Sequence, residues 1–310
     1  MRTLKIILLL LIVSLPFSIS AMQQEKKANP HHEKKAISKK ANTIDELAKM
    51  YDISECAKCH VKEYEEWSKS LHAKSLIGTP RTMATLRTAI LDGLMKEQKF
   101  SGVKKIEDVE VRHLMQCLKC HLPQIEDATD NVAKQIAKAV VDGDTKTLEK
   151  VSINCLVCHN KKAIIHKWHD GEPEKNVIYG KKDGPHPYDK FPTHKKSPIL
   201  QEAVMCGQCH GLGPNFDQPN PSQCATLYGS YLHSYVPSGG SKTCQDCHMH
   251  EFKKGHHMSS YRDPEVGKRA VDVVVEAPAY QFLPRAGDWH PMIPLTVKIT
   301  NKAGHRIPDG

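Results

Sequence analysis

The chain has 310 residues, a formal charge of +9 from 44 Lys+Arg against 35 Asp+Glu, 19 His, 11 Cys and only 6% aromatic residues. Its 39% hydrophobic share is below the roughly 45–50% usual for a soluble domain, so side chains alone are badly placed to fill a 300-residue core. The one long apolar run sits at the N-terminus, which excludes a multi-span membrane protein, and the patterned Cys and His exclude a wholly disordered chain.

In chain order, Arg2 and Lys5, the apolar run 6–15 and the small-residue stretch 16–21 have the three-part layout of a secretory leader cut near Ala21. The competing reading is an uncleaved membrane anchor, but at 1.5 Å per residue the run covers only about half of a hydrocarbon core of roughly 30 Å. No cysteine follows it before Cys56, so a lipid-anchored lipoprotein is not expected. Residues 22–42 are polar and lysine-rich and read as a disordered linker in which His31 and His32 are solvated. Thr43-Ile-Asp-Glu46 is a capping-box pattern that opens a helix. Thr79-Pro80 opens a second, with Met83, Leu86, Ile90 and Leu94 on one face. Asp130 to Val141 places Val132, Ile136 and Val140 four residues apart and stops at Gly143.

The cysteines carry the strongest signal. Cys56-Ala-Lys-Cys59-His60, Cys117-Leu-Lys-Cys120-His121, Cys155-Leu-Val-Cys158-His159, Cys206-Gly-Gln-Cys209-His210 and Cys244-Gln-Asp-Cys247-His248 use ten of the eleven cysteines. Two thiols three positions apart can each add to a vinyl group of one haem, and the next His then reaches the iron as proximal ligand. A zinc ribbon has no need of His after each CxxC, and a redox CxxC normally occurs once, near a βαβ pattern that is missing here. Disulfides do not require five identical pentapeptides. The sequence therefore predicts five covalently attached c-type haems. Motif starts are 61, 38, 51 and 38 residues apart, too irregular for a strict tandem repeat. Cys224 is left over and reads as an incidental packed cysteine rather than a reactive or bridging thiol.

Fourteen histidines remain to supply distal ligands. His72 follows Tyr64, Trp67 and Ser70 on a short helix after the first motif. His113 lies one helical turn before Cys117. One of His166 and His169 is a candidate for a place after the third motif, and His169 is preferred. His194 precedes Ser197-Pro198, which reads as a helix N-cap with a first-turn proline. One of His256 and His257 follows the fifth motif, with His257 preferred. His305 sits in Ala303-Gly304-His305-Arg306-Ile307-Pro308. Position gives no argument for His186, His233, His250 or His290.

Residues 171–240 hold 9 of the 19 prolines and 9 of the 18 glycines, so regular structure should be sparse there and the segment should wrap haem. Val271–Val275 and Leu295–Ile299 are β-branched, the second alternating with polar positions, and predict a small β element. Two or three strands fall short of a sandwich, and the sequence is expected to be the front part of a longer product. The whole reads as mainly α with much irregular structure wrapped around five haems, divided into a leader (1–21), a linker (22–42), a haem domain (43–260) and an incomplete β element (261–310).

The segments Cys56–His60 with Tyr64, Trp67 and His72, Met205-Cys206-Gly-Gln-Cys209-His210-Gly211, and Thr243-Cys244-Gln-Asp-Cys247-His248-Met249 give residues 54–258 a resemblance to a known group. They resemble the multihaem c-type cytochromes related to the tetrahaem cytochrome of nitrifiers and to hydroxylamine oxidoreductase. The Ala-Gly-His305-Arg-Ile-Pro308 segment is similar to that of ExtKL-type cytochromes of outer-membrane electron conduits in metal-respiring bacteria. All five motifs end in His, whereas formate-linked pentahaem nitrite reductases carry a CxxCK haem, and hydroxylamine oxidoreductases have eight haems.

The leading expectation is an electron carrier between periplasmic donors and an outer-membrane or extracellular acceptor, working in the periplasm or at the cell surface. Its partners would be redox donor and acceptor proteins, with no nucleic acid, no membrane span after leader removal, and scope for oligomers. The alternatives are a multihaem reductase of a small nitrogen compound or oxyanion, with Lys181, Lys182 and Arg262 as sources of positive charge, and a docking subunit of a conduit. Loss of Arg2 and Lys5 with the leader takes +9 to +7. Five haems with ionised propionates then bring the oxidised protein to about +2 and the reduced one to about −3. The basic balance thus counterweights propionates rather than marking a nucleic-acid surface.

Overall fold

Thr43 caps the first helix, α1 (Ile44–Met50), its hydroxyl accepting from Glu46 N at 3.1 Å. The return half of the expected box differs: the Glu46 carboxylate accepts from Asn42 N, at 2.6 Å, one residue before the cap. The short helices α2 (Ser54–Cys59) and α3 (Val61–Ser68) follow. Thr79 caps α4 (Pro80–Thr88) through Thr82 N at 2.9 Å, with Pro80 in the first turn where its missing N–H has no cost. The chain continues without a break as a π-helical stretch, Ala89–Glu97, that keeps Ile90 and Leu94 on the buried side. Helix α5 (Val111–His121) carries the second CxxCH motif, and α6 (Asp130–Asp142) ends at Gly143 in the left-handed conformation, φ 71°.

The computed structural model describes residues 39–211, 225–285 and 287–307. The leader, residues 22–38 of the linker with His31 and His32, Cys224, and residues 308–310 lie outside the described residues. Chain contacts divide the molecule between Lys39 and Lys40, so every element named here belongs to one unit.

The main core joins α1, α4, α5 and α6 with the turns between them. Leu47, Leu76, Leu86, Ile90, Leu94, Leu118, Leu122, Ile125, Val132, Ile136, Val140 and Leu148 meet there. These include the stripes that helical spacing predicts, with Met83 packed on the edge. Among the described residues every buried apolar side chain lies between Ala41 and Ala203. The described residues of the last third of the chain therefore form no side-chain core of their own.

The proline-rich stretch is more regular than its composition predicts. Strands β1 (Val177–Gly180), β2 (Gly184–Tyr188) and β3 (Phe191–Lys196) form a sheet of order β1-β3-β2, with β1 parallel and β2 antiparallel to β3. Pro185, Pro187 and Pro192 are exposed, and the β2–β3 register breaks between Pro185 and Tyr188. The prolines thus fall where ladder bonds are dispensable. Ser197 precedes a short 3-10 turn, Pro198–Gln201, but its hydroxyl donates to Ala163 O at 2.7 Å instead of capping that turn.

At the C-terminal end β4 (Val271–Glu276) pairs antiparallel with β7 (Thr296–Asn301), and β5 (Tyr280–Phe282) with β6 (His290–Met292). The chain is thus mainly α with much irregular structure and a small C-terminal β element. Val273 pairs with Ile299 and Val275 with Val297 on one face of the β4–β7 ribbon, and all four are exposed. Among the described residues no helix is long and apolar enough to cross a membrane.

Candidate haem-binding site

The backbone is helical or turns like a helix at each CxxCH motif, and this explains the spacing. The first cysteine, the second cysteine and the histidine occupy positions i, i+3 and i+4, which share one face. The second motif lies wholly within α5, the first runs from α2 into His60, and the third and fifth overlap the π-helical turns Val157–Lys161 and Asp246–His250. In the first and fourth, His60 N and His210 N donate to the carbonyls of Cys56 and Cys206, at 2.8 and 2.9 Å.

Motifs distant in sequence meet through their thiols. Cys56 and Cys155 are hydrogen-bonding neighbours, as are Cys206 and Cys244, and Cys209 and Cys120. The first motif therefore adjoins the third, and the fourth adjoins both the second and the fifth. The Cys155 hydrogen bond pulls the Cys56 thiol down to about 7, while Cys155 itself is pushed up by that bond and by burial.

The histidines come together in pairs. His72 faces His210 with ring centres 6.0 Å apart and planes at 90°, His159 faces His256 at 6.3 Å and 32°, and His248 faces His305 at 6.1 Å and 14°. Two imidazoles on opposite sides of one metal ion, with metal–nitrogen distances of about 2.0–2.1 Å, hold their ring centres about 6.3 Å apart. Haem fits this donor set. The other ring nitrogen is held by a backbone carbonyl in several cases. Nδ1 of His121 pairs with Ser75 O at 3.0 Å, of His159 with Tyr179 O at 2.9 Å, of His248 with Ser259 O at 2.6 Å and of His305 with Arg306 O at 3.0 Å. An Nδ1–H donated to a carbonyl fixes the tautomer that leaves Nε2 for a metal. Burial first, then neighbouring His210 and His121, hold His72 down to about 4, so it is a neutral imidazole, the form that ligates iron.

The remaining sequence candidates are placed as follows. His194, on β3, packs on His186 of β2 with ring centres 4.6 Å apart, too close to flank one ion. Burial first, then His186, Lys182 and His60, lowers its basicity, which puts this pair beside the first motif. His186 Nδ1 is anchored on Phe191 O at 2.8 Å, like the histidines above. His257 Nε2 turns to Asp263 at 3.3 Å, and it is its neighbour His256 that faces His159. His113 sits in the first turn of α5, where Nδ1 accepts from Glu110 N at 3.0 Å and Nε2 is buried without a hydrogen bond. His169 lies beside exposed Trp168 with its Nδ1 on Asp170 at 2.6 Å. Position in the chain narrows the choice to His256 or His257 but prefers the wrong one, and it does not select His186. A signal for His186 was present in the alternation of exposed Pro185 and Pro187 around it, which makes it the inward residue of an edge strand.

Residues 55–160 match the family model described as cytochrome c554 and c-prime. No curated protein and no solved structure matches the chain. The family match supports a multihaem c-type cytochrome with covalently bound haem, and with it an electron-transfer protein that has redox partners.

Proposed function

We propose that the protein is a pentahaem electron carrier in which CxxCH cysteines fix five haems and remote histidines close their irons. The observation that carries this reading is the pairing of His72 with His210, His256 with His159 and His305 with His248, with ring centres 6.0, 6.3 and 6.1 Å apart. Haem iron supplies the one-electron couple. The chain's residues hold, orient and shield it. Thioether-forming thiols meet in the pairs Cys56/Cys155, Cys120/Cys209 and Cys206/Cys244, so the attachment points fall into two groups, the first motif with the third and the fourth with the second and fifth. Carbonyls of Ser75, Tyr179 and Ser259 orient the proximal rings and raise their basicity as ligands. His186 and His194 serve the first motif, with His186 favoured by its anchored Nδ1. No side chain need act as nucleophile or general base. That no described residue beyond Ala203 adds a buried apolar side chain favours haem as the packing mass of residues 203–260.

The leader pattern at 1–21 supports export, and the reading places the carrier in the periplasm or at the cell surface, between a donor and an outer-membrane or extracellular acceptor. Low-temperature EPR of the oxidised protein tests the ligation. Perpendicular imidazole planes give a strongly anisotropic low-spin signal, and near-parallel planes a rhombic one. The 90° pair His72/His210 should therefore give the first and the 14° pair His248/His305 the second. Substituting His72→Ala, His256→Ala or His305→Ala should each convert one low-spin signal to high-spin. Retention of every low-spin signal in all three variants contradicts the assignment.

A further inference from the structure

The three opposed pairs are not supported in the same way. His72 lies in the turn after α3, among buried Ser70, Ser75 and Leu76, and His256 is tied by its backbone N–H to the Glu66 carboxylate at 2.9 Å. His305 is in the loop after β7, where Lys302 N donates to the carbonyl of Ala270, the residue before β4, at 2.8 Å. Asn301 folds that loop on itself, its side-chain oxygen accepting from Ala303 N at 2.8 Å and its amide donating to His305 O at 3.0 Å.

The loop is held from outside by the helical segment Leu227–Ser230 and its π-helical continuation Tyr231–Tyr235. Arg306 N donates to Ser230 Oγ at 3.1 Å, and the Arg306 guanidinium donates to Thr226 Oγ1. Gly304, next to His305, lies beside the Tyr235 ring, and a Cβ built on it would reach that ring at ordinary contact distance, 3.5 Å. The Tyr235 ring is also pressed against Gly240, where any Cβ would collide with it. Tyr235 also stacks on Tyr231 (5.6 Å, 27°) and Tyr231 on Tyr228 (6.0 Å, 17°). Tyr228 covers Gly207, between the cysteines of the fourth motif, so closely that a Cβ there would be 2.7 Å from the ring. The three tyrosines are spaced i, i+3, i+7, one face of a helix.

We propose that this tyrosine stack is a clamp that sets His305 opposite His248, with Tyr235 and Ser230 as positioning residues. The stack runs from the backbone of the fourth motif to the loop that carries His305, so the fifth haem keeps its distal ligand only while the stack is intact. The clamp rests on the reading of His305 as a ligand, and the test separates the two.

The readouts are EPR of the oxidised full-length holoprotein and carbon monoxide binding to its dithionite-reduced form. CO enters only where the distal ligand can leave. His305→Ala should add one high-spin haem and one CO equivalent to whatever the unaltered protein shows. Tyr235→Ala, which leaves His305 in the chain, should speed CO binding at that one haem by about tenfold or more, and Tyr235→Phe should restore the unaltered rate because the ring is retained. Ser230→Ala removes one half-buried hydroxyl, whose only bond to the His305 loop is the one from Arg306 N and whose other bond is to Leu227 O within its own helical turn. It should speed binding by about two- to tenfold, the range for one lost hydrogen bond. Unchanged CO binding in Ser230→Ala overturns the clamp, as does unchanged binding in a folded Tyr235→Ala. An unchanged His305→Ala spectrum overturns the ligand assignment instead.

Discussion

Gly211, directly after the fourth CxxCH motif, is where a single added methyl group should do most damage. Its φ is +84°, and a Cβ built there would fall on the carbonyl oxygen of Ala225, with Ala225 C and Thr226 N within 2.5 and 3.0 Å. These are backbone atoms, and the contact that creates the crowding is hydrogen-bonded, from Tyr228 N to His210 O at 3.1 Å and from Gly229 N to Gly211 O at 3.2 Å. Nothing there can swing away. A left-handed non-glycine residue costs about 1–2 kcal/mol and overpacking about 1–3 kcal/mol more, so Gly211→Ala should cost about 2–5 kcal/mol. Gly143→Ala isolates the first contribution, because Gly143 has φ +71° with nothing within 4 Å of its added Cβ. It should cost only about 1–2 kcal/mol. Guanidinium unfolding of the two holoprotein variants, followed by far-UV circular dichroism, compares their midpoints at unchanged slope. A Gly211→Ala variant no less stable than Gly143→Ala would refute the close approach of residues 210–211 to 225–229.

Three further outcomes follow from the packing. Trp67 Nε1 donates to Ile153 O at 2.8 Å, tying the helix after the first motif to the entrance of the third. Trp67→Phe should therefore lose about 1–2 kcal/mol in the same unfolding experiment. Ile136, buried in the middle of α6, should cost about 2–5 kcal/mol as Ile136→Ala. Burial first, then the adjacent Asp127 to which it donates, pushes the Tyr51 hydroxyl well above its ordinary value of 10.0. In the unfolded chain that hydroxyl ionises near 10 while in the fold it stays protonated, so the folded state binds more protons and stability falls as pH rises past 10. The loss from this group should be about 1.4 kcal/mol per pH unit, and Tyr51→Phe should flatten it in unfolding midpoints measured across pH 9–11.

What could be read from the sequence follows the range of the interactions involved. Haem attachment is local chemistry, complete within five residues, and so is a helix stripe such as Val132, Ile136 and Val140. Distal ligation is not local. His72 stands just after the first motif, yet it faces the histidine of the fourth, and His256, just after the fifth, faces that of the third. No periodicity links such partners, because they are brought together by the packing of whole segments. The choice between His256 and His257 turns on one backbone bond to Glu66 and one side-chain contact with Asp263, both invisible in composition. The β1–β3 sheet was hidden for a related reason. Its prolines argue against strands one by one, and only the interrupted register between Pro185 and Tyr188 makes them compatible with pairing.

The central claim is that every CxxCH motif carries a covalent haem, and intact-mass spectrometry of the denatured holoprotein tests it most directly. The expected mass is that of the polypeptide plus five haems, stepping down to four when the cysteines of any one motif are both changed to serine. A mass with fewer than five haems, or one unchanged by removing a motif's cysteines, would contradict it.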